Sequence, residues 1–508
     1  MSSNVIDEVG DDVQPASVPA SLLDPTLPAE VLSLDVGTSG VRAALFDERG
    51  NEIARTHTTN VREGSLGDFA ELDADEIVSE VVSTVDVLMA KLPNASPKYV
   101  AISTFWHSLI GVDAEGNATT PLFTWADTRA AHFARLLRQQ FNERELHSRT
   151  GCRFHPSYWP AKLLWLRSAY PERVANTRLW LGFAEFLCLK LFGATPGSIS
   201  IASATGLFNQ RNNDWDWEFV EALGIAPATL PPIVTNPGIP FKAEYRKRWD
   251  ALSQCLLTSV IGDGAANNIG GGCTTLDRVA LMVGTSGAMR TIFAGQPPTS
   301  LSDGLWSYRV DQRRVVFGGA LSDGGGLYRW LTSSLQFDDS FSLEKELSRI
   351  EPDSHGLTIL PFWSGERSTG WRPDARGAIL GLTQQTSTVE ILRAALEAVA
   401  YRFALIAKAI DNIAPNATIV ATGNALRSSP VWAQILADVL GRNLIIGGSA
   451  EASMRGAALL ALEAVGKIGS IENLTIVEEK VFEPDLSRHN RYAQGLARQQ
   501  EIYSRLMA

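Results

Sequence analysis

A short phrase that occurs twice carries the first chemical signal in this chain. Asp35-Val36-Gly37-Thr38-Ser39-Gly40-Val41-Arg42 recurs as Met282-Val283-Gly284-Thr285-Ser286-Gly287-Ala288-Met289-Arg290. Each copy follows an apolar run and precedes another, which reads as strand, tight turn, strand. A Gly-Thr-Ser-Gly tip offers backbone N–H groups and two hydroxyls in one concavity, and its glycines let an anion approach the chain closely. One such tip is more often an ordinary hairpin turn. Two, one in each half, suit a polyphosphate held between opposed donors.

Two carboxylates stand where such a ligand would need them. Asp35 and Asp263 each end an apolar strand close to a glycine. There a carboxylate can orient hydrated Mg²⁺ or take a proton from an attacking hydroxyl. A strand-end Asp usually only satisfies a turn or caps a helix, but Asp263 lies between Gly262 and Gly264 and before a predicted helix, which favours function. Ser103-Thr104-Phe105-Trp106-His107-Ser108 and Trp125-Ala126-Asp127-Thr128-Arg129 add a flat apolar face, an imidazole, a carboxylate and a guanidinium. A polyhydroxylated ligand needs that mixture of donors and acceptors, although a lone His or a lone surface ion pair would carry no such meaning. There is no GxxxxGK[ST] and no GxGxxG after a strand, so P-loop and Rossmann readings lose their support.

The scaffold for these groups exceeds one core: 508 residues predict two domains or more. Apolar residues make up 45% and charged residues 20%, an ordinary globular balance. The net charge of -11 is concentrated at the start, where Asp7, Glu8, Asp11, Asp12, Asp24 and Glu30 occur without any Lys or Arg. With Pro15, Pro19, Pro25 and Pro28, residues 1–28 read as a flexible acidic tail. No basic run interleaved with aromatics is present, which excludes a nucleic-acid partner. Cys152, Cys188, Cys255 and Cys273 form no metal-ligand spacing and read as reduced, buried residues of a cytoplasmic protein. The N-terminus has no signal-peptide pattern, and no membrane span is expected. The most apolar stretch, residues 179–192, is interrupted by Glu185 and Lys190 and reads as a core helix.

Strands are predicted at 31–35, 41–46, 100–103, 109–112 and 256–261. Asp73 caps a helix reaching about Lys91, and Ala265 to Ile269 begin another. Ser387-Thr388-Val389-Glu390 is a capping box, with Ile391, Leu392, Ala395, Leu396, Val399 and Phe403 behind it. Ser429 and Pro430 open a helix that Gly441 closes, and residues 452–465 form one more. Mixed strands and helices with a repeated hairpin predict an α/β protein of two related domains facing each other, with a ligand cleft between them.

In order and type these motifs resemble the FGGY carbohydrate kinases, from about Leu32 to Val465. The resemblance implies two duplicated domains of the actin/Hsp70/sugar-kinase (ribonuclease H-like) fold. Their expected extents are 29–259, binding the sugar, and 260–508, binding the nucleotide. It implies ATP and Mg²⁺, with Thr38, Ser39, Arg42, Gly284, Thr285, Gly325, Gly423, Asn424 and Ser428 as nucleotide contacts. Asp35 would hold the metal through water, and Asp263 would be the catalytic base. His107, Trp125, Asp127, Arg129 and Asp263 would contact a small sugar or sugar acid. The resemblance leaves room for a homodimer.

Within the family, His107-Ser108-Leu109, Thr124 to Arg129, Ile201 to Leu207 and Ser364-Gly365-Glu366-Arg367 are most similar to gluconate kinases. That implies conversion of gluconate to 6-phosphogluconate, with a xylulose or ribulose kinase as the alternative. The rivals from other classes are a non-catalytic sugar- or nucleotide-binding protein and an ATPase acting on protein partners. Two departures from the family pattern are Asn424, where a glycine is usual, and Trp106, a bulkier wall expected to narrow the sugar pocket or change which sugar enters.

Overall fold

The computed structural model describes residues 28–38, 40–59, 70–338, 342–422, 424–447, 451–476 and 478–507. The expected tail at 1–28 (Pro28 excepted), Ser39, Gly423 and the side chain of Asn424 lie outside the described part.

Two sheets organise the chain. The first runs Ile239–Pro240, Leu256–Gly262, Tyr99–Thr104, Val31–Val36, Gly40–Phe46, Glu52–Thr59. The second runs Trp306–Arg309, Arg314–Leu321, Gly287–Ala294, Arg278–Val283, Thr418–Thr422, Leu444–Gly447, Glu478–Phe482. Each contains an antiparallel meander whose first strand is joined on its other side by two parallel strands. The same strand order built twice establishes the duplication more firmly than the short repeat. The copies differ at their tips: Val36 pairs with Val41, whereas Val283 pairs with Gly287, so the second turn is one residue shorter. Helices cover the sheet faces, which is why Val31–Val36 and Arg314–Leu321 are buried throughout.

The predicted helix signals act as stated. Asp73 accepts from the N–H groups of Asp75 and Glu76 at the start of Ala74–Lys91. Ser387 and Glu390 form a reciprocal capping box on Thr388–Ile410. Gly441, at φ 64°, ends Pro430–Leu440 in the left-handed conformation. Residues 179–192 are not one helix. Leu179–Leu181 is a strand paired with Ile110–Val112, and the helix is Phe183–Phe192. Glu185, taken from sequence as an interruption, accepts from the Gly182 N–H at 3.1 Å and caps that helix.

The strand Leu256–Gly262 crosses the division expected at 259/260 and carries the first sheet to the helix Asp263–Gly270. That helix packs on Ala452–Ala464, which also lies against the strands of the first sheet. Their contact is backbone on backbone: a Cβ at Gly456 would lie 1.8 Å from the Ala266 carbonyl oxygen, and one at Gly270 would lie 1.9 Å from that of Ala452. Around this pair Trp106, Ile261, Ala265, Ile269, Met454, Ala457 and Leu459 form a core shared by the two halves.

Asp353, His355 and Glu397 converge closely enough to suggest a metal site. Arg498 bonds Asp353, while Arg393 and Tyr401 bond Glu397, so the two carboxylates already face two guanidinium groups. The cluster ties the C-terminal helix Leu486–Leu506 to Thr388–Ile410. Among the described residues no helix is long and apolar enough to cross a membrane.

Candidate active site

The halves enclose a cleft of about 730 Å³. Asp35, Gly37 and Arg42 line it from the first hairpin, and Met282, Val283, Gly284 and Thr285 from the second. Asp263, Arg290, Gly325, Ser428 and Glu451 complete much of its wall. The two hairpin turns therefore face one space, and Asp263 opens into it. Thr38 stands on the first turn beside Gly37.

Glycines at 324–326 let the helix Gly325–Ser334 start directly on the second turn. The Gly325 N–H donates to the Gly284 oxygen at 2.7 Å and the Gly326 N–H to the Thr285 oxygen at 2.9 Å. A Cβ at Gly325 would lie 2.8 Å from the Gly284 oxygen, so any side chain would push this helix end away. On the far wall, the helix Asn424–Ser428 leads to Ser429, whose Oγ accepts the Trp432 N–H at 3.2 Å.

Asp263 is the first residue of its helix, and its Oδ1 accepts the Gly264 N–H at 2.7 Å. Burial pushes its carboxyl pKa up to about 6, Arg290 opposes that shift and Asp35 adds to it. Trp106 decides why glycines flank it. Ring atoms of Trp106 would lie 1.8 Å from a Cβ at Gly262 and 2.4 Å from one at Gly264. Trp106 itself is fixed by donating to the Ser200 oxygen at 3.1 Å and by edge contacts with Trp306 and Tyr308. It is the backing wall of the Asp263 turn. Asp35 accepts from Ser103 Oγ at 2.8 Å and pairs with Arg42 at 3.3 Å; burial still holds its pKa above the ordinary value.

His107 takes a left-handed backbone, φ 64°, which turns it inward from the end of Tyr99–Thr104. Its Nδ1–H donates to the Ala204 oxygen at 2.7 Å, leaving Nε2 as an acceptor. Burial lowers its pKa to about 3, so the ring stays neutral. Trp125 is half-buried, with the guanidinium of Arg367 stacked 4.5 Å above its ring. Asp127 and Arg129 are bound to each other: Arg129 Nε lies 3.0 Å from Asp127 Oδ2, and Nη2 also reaches Glu71 at 2.7 Å. Arg129 further stacks on Trp165 at 4.6 Å. Arg129, expected to contact the sugar, is held by Asp127 and Glu71 and braces the loop that presents Trp125.

Residues from the second half roof this side. Tyr308 Oη bonds Tyr158 Oη at 2.7 Å, and Trp371 packs against His155 at 5.6 Å and Tyr158 at 6.2 Å. One end of the active region thus opens to a polyphosphate-sized cleft. The other is an aromatic, hydrogen-bonded cluster built from both halves.

The family model for the N-terminal domain of the FGGY family of carbohydrate kinases matches residues 30–270, and that for the C-terminal domain matches 279–465. The chain belongs to the FGGY family of carbohydrate kinases. It is 30% identical over 459 residues to a gluconokinase of Bacillus licheniformis, covering 87% of this chain and 89% of that protein. Its fold matches the crystal structure of gluconate kinase from Lactobacillus acidophilus with a TM-score of 0.86 and 26% identity, over 94% of this chain and 98% of that one. A ligand-bound xylulose kinase from the same organism matches with a TM-score of 0.85 and 26% identity, over the same shares of the two chains. This FGGY kinase is an ATP-dependent enzyme that phosphorylates a hydroxyl of a sugar or sugar acid.

Sequence reasoning about this kinase missed Arg290, whose buried Nε and Nη2 have no hydrogen-bond partner beside Asp263. It ends the second copy of the repeat and could have been marked there. Asp323, pushed up to about 6 by burial while Ser364 bonds it at 2.9 Å, had no local signal. Lys162 of the sugar side also had none. It donates to the oxygens of Pro156 and Ser157 at 2.9 and 2.7 Å, and burial lowers its pKa to about 7.

Proposed function

We propose that this kinase transfers the γ-phosphoryl group of ATP to the 6-hydroxyl of gluconate, giving 6-phosphogluconate. The observation that carries the chemistry is the meeting of both hairpin turns and Asp263 on one cleft. The gluconokinase relative at 30% identity supports the substrate.

In this reading Asp263 accepts the proton of the 6-hydroxyl as that oxygen attacks in line. The backbone donors of the Gly37 and Gly284 turns, with Thr38 and Thr285, hold the phosphates. Arg290 faces the charge that develops on the transferred group. Gly325 and Ser428 flank the nucleoside. His107 accepts a sugar hydroxyl at Nε2, Trp125 gives the sugar an apolar face, and Asp127 with Arg129 fixes that wall. Asp35 and Asp263 are carboxylates close enough for one to lift the other's pKa, a donor set that suits a hydrated divalent cation. Asp35 would hold Mg²⁺ through its water shell, and the bound ion would neutralise triphosphate charge. The roof over the sugar side excludes water and limits ATP hydrolysis. Four buried free thiols and an ATP substrate suit the cytoplasm.

Coupled ADP release with gluconate, xylulose, ribulose and glycerol tests the assignment. Gluconate should give the highest kcat/KM. A larger value for xylulose would transfer the assignment to the second reading, which the xylulose kinase fold match favours.

The base also sets a pH dependence. Asp263 titrates at about 6, and only its ionised form can take the proton. In the free enzyme kcat/KM should therefore be level on the alkaline side of that value and fall ~10-fold per pH unit on the acid side. A profile that stays level well into the carboxylate range would remove Asp263 from this role.

A further inference from the structure

Three buried side-chain nitrogens near Trp125, two of them N–H donors, have no hydrogen-bond partner among the described residues. They are Nε of Arg367, Nε1 of Trp371 and Nε2 of His155. Their placement is fixed by contacts already described and a few more. Arg367 stacks on Trp125, and Trp371 closes the same turn by donating its N–H to the Arg367 oxygen at 2.6 Å. His155 faces the Trp371 ring. Ser157 Oγ donates to the Trp125 oxygen at 2.7 Å, and the Ser157 N–H donates to His155 Nδ1 at 3.2 Å. His155 Nδ1 meets both the Ser157 N–H and, at 2.9 Å, the Ser157 hydroxyl. Of the three unsatisfied groups, Nε of Arg367 and Nε1 of Trp371 can only donate.

A buried donor left unpaired is costly, and a buried guanidinium without a bonded carboxylate more so. Arg367 makes one hydrogen bond within the described fold, from Nη2 to the Leu321 oxygen at 3.3 Å. Asp263 and Asp323 act on it through space without bonding it. The other cations near Trp125 are engaged: Arg129 by Asp127 and Glu71, Lys162 by two backbone oxygens. A ligand that brings acceptors and one negative charge would satisfy both donors. A neutral sugar would leave Arg367 with only the through-space attraction of Asp263 and Asp323.

We propose that Arg367, with the indole N–H of Trp371 and the ring of His155 beside them, forms the subsite that receives the carboxylate of a sugar-acid substrate and thereby selects sugar acids over neutral polyols. The inference rests on the sugar-acid reading above and adds the residues that enforce it. The subsite is split between the halves: His155 and Trp125 belong to the sugar-binding half, and Arg367 and Trp371 to the roof. The Arg138 guanidinium bridges them, donating to the Phe154 oxygen at 2.5 Å and the Trp371 oxygen at 3.3 Å. A carboxylate bound there holds the roof down. It lies at the end of the substrate away from the hydroxyl that reacts, so its binding energy positions that hydroxyl.

The test compares gluconate with glucitol, which carries CH₂OH in place of the carboxylate. Wild type should show a much larger kcat/KM for gluconate. Arg367→Met should cut the gluconate value ~10- to 100-fold, the span expected for losing hydrogen bonds to a charged group, and so collapse the ratio between the two substrates. Arg367→Lys should restore part of that ratio. Trp371→Phe, which removes one N–H and little volume, should lower it ~5- to 10-fold. The shift in melting temperature on adding ADP shows that each variant is folded. A wild type that phosphorylates sugar acids, combined with Arg367→Met and Trp371→Phe variants that leave the ratio unchanged, overturns this subsite alone. A wild type that phosphorylates only neutral sugars overturns the substrate reading instead.

Discussion

Asp263→Asn should lower kcat ~10³- to 10⁴-fold, leave the affinities for gluconate and nucleotide within a few fold, and raise the melting temperature. The loss of rate follows from the position of the carboxylate, the one proton acceptor at the head of its helix between the phosphate turns and the sugar chamber. The gain in stability follows from its titration. Its pKa is raised from 3.8 to about 6, so the folded state binds its proton more tightly than the unfolded chain does. That contribution to stability is complete below the unfolded value and is lost as pH rises through about 6. At neutral pH the ionised carboxylate is a net burden on the fold. Asparagine removes it for a gain on the order of 2 kcal/mol, allowing for the partial exposure of the side chain. Single-turnover kinetics and calorimetry at neutral pH check both halves. Turnover near wild type would dismiss the base, and a lower melting temperature would dismiss the burial argument.

Gly456→Val should destabilise the protein by ~3 kcal/mol or more and take activity with it. Its Cβ would sit 1.8 Å from the Ala266 oxygen and 2.9 Å from the Gly270 nitrogen, where the obstacle is backbone that cannot rotate aside. The helices Asp263–Gly270 and Ala452–Ala464 would have to separate, moving Asp263 with them. Gly469→Ala is the control: nothing lies within 4 Å of the added atom, and its unfolding midpoint should match wild type. Denaturant titration of both variants measures the difference. A Gly456→Val protein as stable as the control would mean that the helix pair can part without consequence.

The residues legible in the sequence are those whose chemistry is written locally. Asp263 stood out because Gly-Asp-Gly after a strand and before a helix is rarely neutral, and the hairpins because they repeat. Capping at Asp73, Ser387 and Ser429 was legible for the same reason, since a cap and its partners lie within one turn of chain. What failed depended on distant neighbours. Trp106 was expected to narrow the sugar pocket or change which sugar enters; that it also backs Gly262 and Gly264 was not legible, because that contact is set by where two parallel strands end. Glu185 looked like a break in an apolar run because the strand pairing of Leu179–Leu181 depends on a partner far back in the chain. Arg129 was legible because it sits inside the sugar signature, whereas Arg367, seen only as part of Ser364-Gly365-Glu366-Arg367, reaches Trp125 only once the halves meet. The Gly-Thr-Ser-Gly core of the repeat is the same in both copies, yet the second turn closes one residue sooner. The two donor nests are therefore related but not equivalent.

The acidic wall of the cleft has a consequence for the enzyme at rest. Asp35 raises the pKa of both Asp263 and Glu451; Arg290 opposes the shift at Asp263, and Arg42 opposes it at Glu451. Arg42 bridges Asp35 and Glu451, and a nucleotide–metal complex that binds only the native form would add its own linkage to the native state. Survival against heat and proteolysis should then follow the supply of adenine nucleotide: a starved cell would clear this protein sooner than a fed one, with no change in its synthesis.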